Sequence, residues 1–299
     1  MYNEDTRKRR THMKLENERY VATFTEQGGE ITSFLDKQTG IQYMYQGDTP
    51  YWGGKNPTLF PMVGSTYTKD YVIDGKTYAM KNHGLIRYMT LTAVEGKDDE
   101  IVFALDSSEE TRRQYPFDFR YEIHYTLEGN RLNIRYVITN TGEKEMPFSF
   151  GLHPGFLCPL CEGERFEDYK VTFDNPETLR QIIVDPQGKR PYEEEEVRLQ
   201  HIDLDYALFE KHPTLIYKGM KSACATLSGP KGHGVRISLT GFPLFAIWTP
   251  KARAPFVCLE PWFGHGDFSP VEEDFYHREG TMILSGGKSF TCAYTIELL

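Results

Sequence analysis

No run of apolar residues in this 299-residue chain approaches the ~20 needed to cross a bilayer as a helix, so the chain is expected to be soluble, with no membrane partner. Cysteine is sparse. Five, an odd number spread thinly, argue against a disulfide framework and for a reducing compartment, with the cytoplasm as the default. Cys158 and Cys161 form one C-x-x-C, but no second pair stands at zinc spacing and no βαβ pattern surrounds it. They read as two thiols in a loop. Basic charge is in deficit, and a net charge of −9 excludes an extended nucleic-acid surface. The basic cluster from Lys8 to Arg10 has no apolar stretch behind it, so residues 1–13 are expected to be a disordered or expression-derived tail, not a secretory signal. Helical periodicity is scarce too. Ser107-Ser108-Glu109-Glu110 resembles a capping box before Thr111 to Gln114, and Tyr115-Pro116 closes that segment within a turn or two.

What the chain does have is strand signal. Tyr121, Ile123, Tyr125 and Leu127 alternate with polar residues, Glu128-Gly129-Asn130 makes a turn, and Leu132, Ile134, Tyr136 and Ile138 alternate again. The same period of two returns at Val235, Ile237 and Leu239, and at Phe290, Cys292, Tyr294 and Ile296. With 26 Gly and 17 Pro as punctuation and aromatics at 14%, residues 14–299 are expected to form one large antiparallel β-sandwich domain with few short helices.

Three stretches embed an ionisable group in apolar, Gly- and Pro-rich surroundings: "KNHGLIRYM" (His83, Arg87), "GLHPGF" (His153) and "CLEPWFG" (Glu260). Each is expected at a strand end, where Gly or Pro stops the strand and leaves the side chain facing a cleft. The apolar residues around Glu260 would desolvate its carboxyl, raise its pKa and suit it to act as a general base near neutrality. The structural alternative is a turn cap or a pairing with Lys251 or Arg253. Either histidine alone would read as a hydrogen-bonded structural residue; both together with Glu260 point to chemistry. His, His and Glu could bind zinc, but no H-x-x-x-H spacing supports it, so no metal is assigned. No G-x-S-x-G appears, which argues against a serine hydrolase.

In their order these stretches resemble the aldose 1-epimerases of the galactose mutarotase-like superfamily, most of all its LacX-type branch. The resemblance runs from about Lys14 to the C-terminus through "PTLFPMVG", "NHGLIR", "YPFDF", "MPFSFGLHPGF", "LEPWFG" and "LSGGKSFTCAYTI". It implies a β-supersandwich that interconverts the α and β anomers of a hexose without a cofactor, as a monomer or homodimer. It implies Glu260 as the base at the anomeric hydroxyl and His153 as the acid at the ring oxygen. His83 and Arg87 would hold the sugar. Two positions depart from the family pattern: Ser65 stands where relatives carry Arg, and His212, at a sugar-binding position, stands where they often carry Asp. Ser65 and the acidic net charge lead to the expectation of an unphosphorylated sugar. The alternatives are a hexose-6-phosphate 1-epimerase, a catalytically silent carbohydrate-binding or regulatory protein on the same fold, and an oligosaccharide-binding accessory module.

Overall fold

The computed structural model describes residues 13–48, 50–94 and 99–299; residues 1–12 of the expected tail lie outside it. Strands dominate, as the alternating pattern requires. The expected hairpin is present as Phe119–Glu128 and Arg131–Asn140, joined through Gly129 at φ 58°. Tyr125 faces Ile134 and Ile123 faces Tyr136 in register, and all four are buried on one face.

Most strands join a 15-stranded antiparallel sheet. One end of its order is Thr58–Leu59, Phe150–Leu152, Phe256–Phe263, Leu244–Trp248 and Thr214–Lys218. The far end holds the hairpin strands, Glu100–Asp106 and Thr92–Val94. Phe150, near one end, has its ring 5.2 Å from that of Tyr136, near the other. The sheet therefore curls over and packs its own faces together, which gives the expected sandwich.

Among the described residues no helix is long and apolar enough to cross a membrane. The helix Glu109–Gln114 follows the expected cap, but the reciprocal partner of Ser108 is Thr111, not a glutamate. A second helix, Tyr206–Lys211, was not foreshadowed by periodicity. Asp205 caps it by accepting from the Ala207 N–H at 2.8 Å.

Candidate active site

The strand Phe256–Phe263 builds the site by alternation. Val257 and Leu259 point into the main core, while Phe256, Cys258, Glu260 and Trp262 share the opposite face. Opposite it runs a strand broken in the middle: Phe150 and Gly151 pair with Phe263 and Trp262, and Gly155, Phe156 and Leu157 pair with Cys258, Val257 and Phe256. The register is the same on both sides of the break, so His153 falls directly across from Glu260. Pro154 and Pro261 follow these two residues and neither can donate to a ladder, so the pairing opens at this point. The His153 N–H turns instead to the Pro57 carbonyl at 3.2 Å, and Leu259 N–H reaches the Pro154 carbonyl at 3.2 Å.

His153 Nε2 lies 3.3 Å from Glu260 Oε2, and the residues are 5% and 1% exposed. Neither alternative for Glu260 holds: Arg253 pairs with Glu210 at 3.3 Å, and Lys251 has no ion-pair partner among the described residues. Burial drives the two groups in opposite directions. The Glu260 carboxyl is raised well above its ordinary 4.5, against opposing pulls from Trp262 and Arg87. Burial, then His83 and Arg87, hold the His153 imidazole well below its ordinary 6.5. The empty pair thus favours its uncharged form, one proton on the carboxyl and none gained by the ring. Such opposed shifts on facing groups mark a functional centre more often than a structural one.

Aromatic rings enclose the pair. Trp52 stacks on His153 with centroids 4.7 Å apart, and Trp248 meets the same ring edge-on at 5.3 Å. Trp262 follows two residues after Glu260, so all three tryptophans of the chain gather here. Among the described residues, Glu260 Oε2, His153 Nδ1 and the Trp262 indole N–H are buried without a hydrogen-bond partner. Three unpaired polar atoms at one spot suit a polar ligand that would satisfy them.

His83 stands beside His153, ring perpendicular at 88° and 5.4 Å between centroids. Its backbone is left-handed, φ 66°, clamped by its own N–H on the Gly64 carbonyl at 2.6 Å. Gly84 next to it admits no side chain, because a Cβ there would lie 2.2 Å from the Phe60 carbonyl oxygen. Nδ1 of His83 accepts from the Gly64 N–H at 3.1 Å, so the neutral ring carries its proton on Nε2. Burial and the nearby Arg87 push its pKa down to about 3. His83 is a fixed hydrogen-bond donor, not an acid.

His83 and Trp262 line a cleft of about 750 Å³, with His153 beside the first and Glu260 two residues before the second on the same strand face. His212, the C-cap of Tyr206–Lys211, lines the same cleft, as does Ser65. Arg87 does not. It sits half-buried in the turn Ile86–Tyr88, and its charge reaches the site by acting on His83, His153 and Glu260. Another hollow of about 550 Å³, lined by Arg131, Arg236 and Thr295 among others, holds none of these residues. The donor atoms nearest to a metal set are those of His153, Cys258 and Glu260, all within 4.8 Å of one another. His83 is not part of that set.

The sequence pointed to the charged groups and missed Trp52, Trp248 and Cys258. Cys258 was detectable, standing two residues before Glu260 on a strand and therefore on the same face.

Residues 11–297 match the family model described as aldose 1-epimerase. The chromosomal protein LacX of Lactococcus lactis subsp. lactis is 33% identical over 267 residues, covering 84% of this chain and 87% of that protein. A galactose mutarotase-like protein from Lactobacillus casei superposes with a TM-score of 0.89 at 29% identity, over 96% of this chain and 99% of that one. A galactose mutarotase related enzyme from Lactobacillus acidophilus gives 0.89 at 28% identity, over 96% of both chains.

Proposed function

The chain belongs to the aldose 1-epimerase family, and on that premise we propose that it interconverts the α and β anomers of a hexose by acid–base ring opening. Glu260 takes the proton from O1 while His153 gives one to the ring oxygen as the C1–O5 bond breaks. The open aldehyde turns about C1–C2, and reverse transfers close the ring on its other face. The pair begins with one proton and ends with one, so the reaction needs no exchange with solvent. Its working form is the charged tautomer, imidazolium facing carboxylate. A sugar favours that form because O1–H donates to the carboxylate and O5 accepts from the imidazolium. The Nε2–H of His83 would hold O1 or O5 in place.

The observation that carries this reading is the His153–Glu260 pair itself, 3.3 Å apart and largely buried. A protein that only binds sugar has no need of an acid facing a base. Each well-placed proton transfer typically contributes ~10²–10⁴-fold, enough for a reaction that already proceeds in plain water. Polarimetry on freshly dissolved α-glucose and α-galactose tests it: the protein should hasten the drift of rotation, and an unchanged drift with either sugar would leave a silent binder.

One observation favours a second reading, a hexose phosphate. The acids lining the cleft are engaged, Asp185 with Arg190 at 3.4 Å, Glu210 with Arg253 at 3.3 Å and Asp267 with Arg278. Lys69, Lys211 and Lys251 line it too and have no ion-pair partner among the described residues. They offer an anion the charge that Ser65 withholds. Under this reading kcat/KM for glucose 6-phosphate exceeds that for glucose, and Lys251→Gln narrows the gap. Equal values in the wild type would return the substrate to a neutral hexose.

A further inference from the structure

The alternation that brings Glu260 to His153 brings a thiol with it. Cys258 is two residues earlier on the same strand, fully buried, and shares the face with Phe256 and Trp248. Its sulfur, a ring nitrogen of His153 and a carboxylate oxygen of Glu260 lie within 4.8 Å of one another. We propose that these three side chains form a latent site for a soft divalent cation, zinc foremost, and that its occupation shuts the enzyme off.

The donor set of one thiolate, one imidazole and one carboxylate is zinc chemistry, and three protein ligands leave a fourth position for water or substrate. With bonds of about 2.0–2.3 Å, tetrahedral ligands stand roughly 3.5 Å apart, so contraction by about an ångström closes the site. His153 and Glu260 are already at 3.3 Å. The strand pairing holds the Cα positions of Cys258 and Glu260, the His153 N–H is anchored on the Pro57 carbonyl, and Trp52 and Trp248 form a dry shell around the imidazole. On binding, the Cys258 S–H bond and the Glu260 carboxyl O–H bond break, both protons leave to solvent, and sulfur–metal and oxygen–metal bonds form beside the one from the neutral His153 ring. Nothing is oxidised or reduced. A cation held in this way engages both groups assigned to proton transfer, so it inhibits and is not a cofactor. The inhibitory part of the proposal rests on the acid–base reading above; the binding part does not.

The test uses the purified full chain with cobalt(II) as the spectroscopic probe and zinc as the inhibitor. One cobalt per chain should produce a near-ultraviolet thiolate-to-cobalt band and the visible bands of a tetrahedral ion, and zinc should displace it. Cys258→Ala should lose the band. It should also raise the zinc concentration for half-inhibition, relative to that variant's own metal-free rate, by at least about 10-fold, the scale on which even outer-shell partners act. Should Cys258→Ala fail to fold, Cys258→Ser serves as a closer replacement for the thiol. A wild-type chain without the band, or a band that persists in the variants, overturns the site. A band at Cys258 in a chain with no mutarotase activity would uphold the site and sink the function. Activity indifferent to zinc, with no band, would do the reverse.

Discussion

His153 and Glu260 face each other across one antiparallel register with Nε2 and Oε2 3.3 Å apart, each followed by a proline that opens the ladder beside it. The motif pair His-Pro and Glu-Pro is thus one structural feature, a gap in a β-ladder with a histidine on one side and a glutamate on the other.

Stability should register the cost of burying Glu260. Its pKa is raised in the folded chain, so its contribution is fully present below its ordinary 4.5 and is lost as pH rises toward the folded value. Gln at this position has no proton to hold. The melting temperature of Glu260→Gln should therefore exceed that of the wild type at pH 8, with the gap shrinking as pH falls to 4.5. A gap that widened on acidification would contradict the sign of the shift.

The pH profile of kcat/KM should be bell-shaped, because only the pair with one proton reacts. On the acid side a second proton enters, and His153 resists it through burial and its neighbours, so that limb falls below 6.5. On the alkaline side the shared proton leaves, and the burial of Glu260 moves that limb well above 4.5. Both apparent values belong to the pair. An acid limb at or above 6.5 would be inconsistent with this environment.

His83→Ala removes a neutral hydrogen bond present before and during the transition state, and a ring that flanks His153. KM should rise and kcat should fall, together lowering kcat/KM roughly 10-fold, the scale of one lost hydrogen bond with its partner left unpaired. An unchanged KM would remove His83 from sugar contact.

Dialysis against EDTA should leave the rate unchanged or raise it, since both proposed proton carriers are side chains and the metal site proposed among the described residues would inhibit. Lost activity that zinc restores would turn the proposal around and make the metal part of the catalyst.

Much of this was legible because the signal was local. The hairpin around Gly129 carries a period of two over eighteen or so residues, and period-two alternation defines a buried face wherever the strand ends up. His153 was legible because Pro154 interrupts its strand, whereas Glu260 was expected at a strand end and lies inside Phe256–Phe263, which runs on through Pro261; its apolar neighbours were the signal that singled it out. Their opposition was not, since residues more than a hundred positions apart meet only through sheet register. Trp52 is hidden for the same reason, reaching His153 from a loop. The helix Tyr206–Lys211 escaped because six residues hold too few turns to show a helical period, and its cap and packing stabilise it instead of propensity. Arg87 was expected on the sugar; the structure places it near enough to act by its charge on His153 and Glu260.

The most direct measurement is the turnover of Glu260→Gln by polarimetry, alongside circular dichroism to show that the variant is folded. Gln keeps the shape and the hydrogen-bonding reach but accepts no proton from O1. Turnover should drop at least ~10²-fold while the sugar still binds, and His153→Asn should match it, since the ring oxygen would then leave as an unprotonated alkoxide. A folded Glu260→Gln with near-normal turnover would contradict the assignment of this pair.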